Sequence, residues 1–190
     1  TRSDMLRSGL GGLAERFERQ IKQDTEEAID WIWTHQMPDG GWTFDCMNNP
    51  SCKGQCEMPK IKSNLKDRVG ATALALWPVV MQGYTHNGPI DAKLPLQEKE
   101  RLMLVQEKLR LGLAFLAANV QQGNGKAFHR GGNMYSQALT AAVLAEAFAQ
   151  SQDSRLLQQP AQMAIDFIAK AQDPNGGGWR YTPGQPGDTS

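Results

Sequence analysis

One motif occurs twice in this chain, and it constrains the fold more than any single residue does. Residues 28–42 carry Ala28-Ile29-Asp30-Trp31-Ile32, then Gln36, then Pro38-Asp39-Gly40-Gly41-Trp42. Residues 164–179 carry Ala164-Ile165-Asp166-Phe167-Ile168, then Gln172-Asp173-Pro174-Asn175-Gly176-Gly177-Gly178-Trp179. Each copy is an amphipathic stretch, a glutamine, a turn built from Pro, Asp, Asn and Gly, and a tryptophan. Internal self-similarity of this kind is the mark of a repeat architecture.

Between the copies the chain reads as helices and loops. Leu13, Phe17, Ile21, Ala28 and Ile32 keep helical spacing, which predicts a helix over 13–33. Gly9, Gly11 and Gly12 precede it and read as a linker or a helix break. Val69, Ala73, Leu76 and Val80 share a face of a helix over 68–81, which Pro78 should kink or end early. Leu102, Val105, Leu109, Leu113, Leu116 and Val120 step by three or four and mark a third helix. An Ala-rich helix over 134–149 is apolar or small nearly all round, which predicts burial. Asp153 and Ser154 cap a last helix running to Ala171, with a break expected at Pro160. No stretch reads as a strand. The fold class is all-α, with amphipathic helices alternating with more uniformly apolar ones, the pattern of two-layered helical hairpins. Residues 1–12 read as a linker or the end of a preceding segment and 13–190 as one repeat domain, truncated at 190.

Residues 43–66 lack periodicity and read as a long loop, of a length usually tied to function or flexibility. All three cysteines, Cys46, Cys52 and Cys56, fall in it. An odd count argues against a purely disulfide framework. Three states stay open: one disulfide with a free thiol, three reduced cysteines, or a structural metal with His86 or His129 as fourth ligand. The Cys46-x(5)-Cys52-x(3)-Cys56 spacing is looser than that of common zinc motifs. No cofactor is predicted, with zinc the one open alternative. His35 reads as a helix-end residue meeting the last carbonyls. His86, His129 and Arg130 read as solvated or structural loop residues. Gly131-Gly132 reads as no more than a turn.

Lys and Arg number 20, as do Asp and Glu, so the formal charge is zero. No basic patch for nucleic acid is implied. No apolar run reaches transmembrane length and no signal-peptide pattern begins the chain, which leaves the compartment open.

The Gln36–Trp42 and Gln172–Trp179 segments, with Gly40, Gly41, Gly177 and Gly178 before the tryptophans, resemble the QW motif of the squalene/hopene cyclase and protein prenyltransferase superfamily. Residues 68–76 (Arg68-Val69-Gly70-Ala71-Thr72-Ala73-Leu74-Ala75-Leu76) and 177–190 more closely resemble bacterial prenyltransferase/squalene-oxidase repeat proteins, many of unassigned function. The resemblance implies an α/α toroid of helical hairpins, here an incomplete ring of two clear units and a degenerate third. In such motifs the glutamine hydrogen-bonds its turn and a neighbouring helix end. The resemblance also implies partners: missing repeats or a second copy on the open edges, and an isoprenoid or other small ligand.

Cyclases of that superfamily protonate an alkene with the central Asp of an Asp-x-Asp-Asp-Thr-Ala motif. In register, the motif falls on Gln185-Pro186-Gly187-Asp188-Thr189-Ser190, so Gly187 replaces the proton donor. Asp188 and Thr189 alone match, and they read as a helix N-cap in preference to a catalytic pair. By the same resemblance a ligand cavity would be lined near the starts of inner helices, at Arg68, Thr72, Tyr135, Ser136, Asp188 and Thr189. Three functions follow: a non-catalytic repeat module for binding or scaffolding, a portion of an isoprenoid cyclase whose acid lies elsewhere, or a metal-stabilised binding domain built on the cysteine loop.

Overall fold

The computed structural model describes residues 2–45, 49–54, 56, 66–128 and 131–187, with side chains described from residue 15 onward. It is helical, with no strand element among the described residues: α1 (Arg2–Thr34), α2 (Arg68–Met81), α3 (Leu96–Gln122), α4 (Met134–Ser151) and α5 (Gln159–Lys170), the last preceded by a π-helical turn at Ser154–Gln158. The chain divides into two compact units, Thr1–Thr34 and His35–Ser190, whereas the sequence placed the only boundary after residue 12.

The first unit is α1 itself. It runs through Gly9, Gly11 and Gly12, where a linker or break was expected. Each glycine weakens a helix by about 1 kcal/mol relative to alanine, which lowers stability without forbidding the conformation. Residues 15–24 are exposed throughout, Phe17 and Ile21 included, so the apolar spacing there marks no buried face.

In the second unit α2 packs most extensively on α4, and α4 on α5, with further contacts of α3 to α2 and to α5. Helices adjacent in space are thus alternate in sequence as well as consecutive. The core is aliphatic: Leu76, Val79 and Val80 of α2, Leu109, Leu113, Leu116 and Val120 of α3, and Val143 and Leu144 of α4 are each at most 1% exposed. Full burial of such a side chain stabilises by roughly 1.5–3 kcal/mol. Gly112 lets α3 approach closely, since a Cβ there would lie 2.9 Å from both Leu76 and the Trp42 indole.

Helix ends follow local chemistry. α2 starts at Asp67, whose carboxylate accepts from the Gly70 N–H at 2.9 Å. Pro78 lies inside α2 and does not end it. A proline removes one donor, but Val79 and Val80 beyond it are buried, and the Val80 carbonyl accepts from Gln150 of α4 at 2.9 Å. Asp153 caps the final helical segment as expected, accepting from the Arg155 and Leu156 N–H groups at 3.1 Å each. Pro160 falls in the first turn of α5, where the π-helical turn gives way to regular helix.

Candidate functional site

The turn after Gln36 shows what the repeated motif does. The Gln36 amide donates to the Gly40 carbonyl at 2.9 Å and to the Lys108 carbonyl of α3, also at 2.9 Å. The turn is thereby fastened to the body of a neighbouring helix, not to its end. The Trp42 N–H donates to the Thr72 hydroxyl at 2.9 Å, and that hydroxyl donates to the Arg68 carbonyl at 2.7 Å. Asp39 receives both guanidinium arms of Arg68 at 2.6 and 2.7 Å, and this pairing holds its carboxyl below the usual carboxylate range. Arg68 also lies 4.9 Å over the Phe115 ring, and a Cβ on Gly41 would lie 2.8 Å from the guanidinium and 2.9 Å from the ring.

The second copy repeats the local half of this design. Gln172 donates to the Gly177 carbonyl, and the Trp179 indole N–H donates to the Ile168 carbonyl of α5 at 2.8 Å. The Asp173 carboxylate collects the N–H groups of Asn175, Gly176 and Gly187 at 2.9–3.0 Å, and these donors, Gly187 first, lower its pKa. Trp42 is 4% exposed and Trp179 is 39% exposed, so only the first tryptophan is enclosed.

A third glutamine does the same work unannounced. Gln137 of α4 is fully buried. Its amide donates to the carbonyls of Gly125 at 2.8 Å and Ala164 of α5 at 3.1 Å, and its carbonyl accepts the Ala127 N–H at 2.8 Å. Nothing in the sequence separates it from a polar residue on a solvated face.

The starts of α2 and α4 meet. Ser136 donates to Asp67 and accepts the Asn133 N–H at 3.3 Å, while Asn133 accepts the Tyr135 N–H at 2.9 Å. Gly131 and Gly132 are more than a turn. A Cβ on Gly132 would lie 2.6 Å from both the Asp67 and Ser136 oxygens, and one on Gly131 would lie 2.8 Å from the Lys66 carbonyl. Of the residues expected to line a cavity, Thr72 is fully buried and Ser136 is 3% exposed, so both serve as internal hydrogen-bonding groups. Tyr135 is exposed and stacks edge-on with Tyr181. Arg68 is engaged by Asp39. Asp188 and Thr189 lie outside the described residues, as do Cys46, His129 and Arg130.

The cysteine loop folds back on the segment that follows α1. Asn49 is buried, donates to the His35 carbonyl at 2.8 Å, and accepts the Ser51 N–H at 2.9 Å. The Ser51 hydroxyl donates to the Gln36 carbonyl at 2.8 Å. Lys53 and Gly54 take left-handed backbone, φ 50° and 74°, which reverses the chain between Cys52 and Cys56. The result is a cluster of three soft donors. His35, Cys52 and Cys56 hold their ligand atoms within 4.8 Å of one another, and the Cys56 sulfur lies 3.2 Å from His35 Nε2. His35 and Cys52 are buried and Cys56 is half-buried. Cys52 and Cys56 form no disulfide. The histidine of the cluster is His35, and not His86, one of the two histidines considered as a fourth ligand. His86 instead contacts Asp153 Oδ2 at 2.9 Å.

His86 is the first cause of the depressed Asp153 pKa, followed by the Leu156 N–H. A carboxylate with a lowered folded-state pKa adds stability above its unfolded pKa, and that stability disappears as pH falls through the folded value. Asp153→Ala should therefore cost about 1 kcal/mol at neutral pH. In denaturation curves the difference from the parent chain should shrink steadily on acidification.

Comparison with models of protein families, with curated proteins and with solved structures returns no significant match.

Proposed function

We infer that the chain is a non-catalytic helical-hairpin repeat module of the squalene-cyclase/prenyltransferase type, used for binding or scaffolding. The observation that carries this reading is the environment of Gly187. In the register of the cyclase acid motif this position would hold the proton donor. Its backbone is pressed on that of Gly178 so closely that a Cβ would overlap the Gly178 Cα, and its N–H is committed to Asp173. An acid side chain has no room there. The packing of α2 on α4 and of α3 on α5 supports a layered arrangement, the contacts of α2 with α3 and of α4 with α5 support hairpins, and the glutamines at 36 and 137 tie neighbouring elements together.

Half-exposed Trp179 marks an edge on which a further hairpin or a second copy would pack. The purified chain should leave squalene and prenyl diphosphates unconsumed under conditions in which it stays folded. Turnover of either substrate would overturn the reading. Native mass spectrometry of the same preparation reports whether a lipid-sized ligand or a second copy is carried.

A further inference from the structure

We propose that His35, Cys52 and Cys56 bind one zinc ion, and that the ion ties the cysteine loop to the start of the Gln36–Trp42 turn. The donor set comes first. Two thiolates and one imidazole are soft ligands, which select zinc over magnesium or calcium. Their arrangement comes next. Tetrahedral zinc, with Zn–S near 2.3 Å and Zn–N near 2.0–2.1 Å, needs its donors about 3.6–3.8 Å apart. The cluster brackets that value, from 3.2 Å between Cys56 Sγ and His35 Nε2 to at most 4.8 Å for any pair. Shifts of about 1 Å or less in side chains of an irregular loop bring the three onto one centre.

Charge balance fits the burial. Two thiolates neutralise a divalent ion and a neutral imidazole adds nothing, so the site carries no net charge where His35 and Cys52 are buried. Binding converts two thiols to thiolates and releases two protons, so affinity rises with pH.

The surroundings are built to hold the donors. Asn49 and Ser51 clamp the loop to the carbonyls of His35 and Gln36. This tethers Cys52 over the imidazole before any metal arrives. The same carbonyls flank the fastening glutamine, so the ion would lock the loop to the turn that Gln36 ties to α3. The site is independent of the scaffold reading and stands or falls separately from it.

The test uses the full chain, purified without a histidine tag, stripped of metal under reducing conditions and titrated with zinc and cobalt. The expected result is one metal per chain by native mass spectrometry. The cobalt form should show tetrahedral d–d bands and a sulfur-to-cobalt charge-transfer band. Cys56→Ser should weaken zinc binding by more than about 100-fold, beyond the loss typical of an outer-shell partner. Far-UV circular dichroism confirms that the variant is folded. A parent chain that stays metal-free in excess zinc overturns the proposal, as does a cobalt spectrum without the charge-transfer band. So does unchanged affinity in folded Cys56→Ser.

Discussion

Replacing Gln137 by leucine is expected to lower the unfolding free energy by about 4 kcal/mol. The shape is nearly kept, so the loss comes from polar groups. The Ala127 N–H and the Gly125 carbonyl lose their partner in a fully buried site, and Ala164 loses a second donor. A buried group left without its hydrogen bond costs about 1–3 kcal/mol. For a chain of this size the melting temperature should fall by about 10 °C. Denaturant titration of both proteins measures the difference. A loss below about 1 kcal/mol would show that water reaches the turn at 125–127 and replaces the amide.

Gly40→Ala should cost about 3 kcal/mol, by a different mechanism. Gly40 has φ of 87°, and a Cβ there would lie 2.5 Å from the Leu111 carbonyl oxygen. That atom belongs to the backbone of α3 and cannot swing aside. Left-handed backbone alone costs an alanine about 1–2 kcal/mol, and the collision adds the remainder. Gly83→Ala separates the two effects. Its φ is 85°, but nothing stands within 4 Å of the added carbon. It should lose only the backbone share. Equal destabilisation of both variants would mean that the turn moves off α3 at little cost.

The two variants also mark what the sequence could and could not say. The turn holding Gly40 was legible because its pattern is local, whereas the approach of Gly40 to Leu111 of α3 was not. A glutamine, a glycine turn and a tryptophan within seven residues, 36–42, already describe a fastener whose first hydrogen bond spans four residues. Helix α2 was legible for a similar reason: buried residues at helical spacing gave Arg68–Met81 directly. Gln137 was not legible. Its partners lie 10, 12 and 27 residues away, and only the packing of α4 on α5 and on the preceding turn brings them together.

The His35, Cys52 and Cys56 cluster was half legible. Three cysteines in one loop advertised chemistry, but the histidine was sought at 86 or 129. His35 joins them because Asn49 and Ser51 pin the loop to its backbone, a contact that no periodicity encodes. At the other extreme, the glycines at 9, 11 and 12 argued for a break that α1 does not make. Propensity alone suggested that break.

The carboxylate of Asp67 serves two helices at once: it caps α2 through Gly70 and holds the Ser136 hydroxyl in the first turn of α4. A Cβ on Gly132 would collide with both groups, so the two helix starts are packed on each other. Fraying of α2 at this end therefore removes the Asp67 contact from the start of α4, which keeps its own Asn133 cap. In amide exchange the protection of the first turns of α2 and α4 should therefore be coupled, although Arg68 and Met134 stand 66 positions apart in the chain.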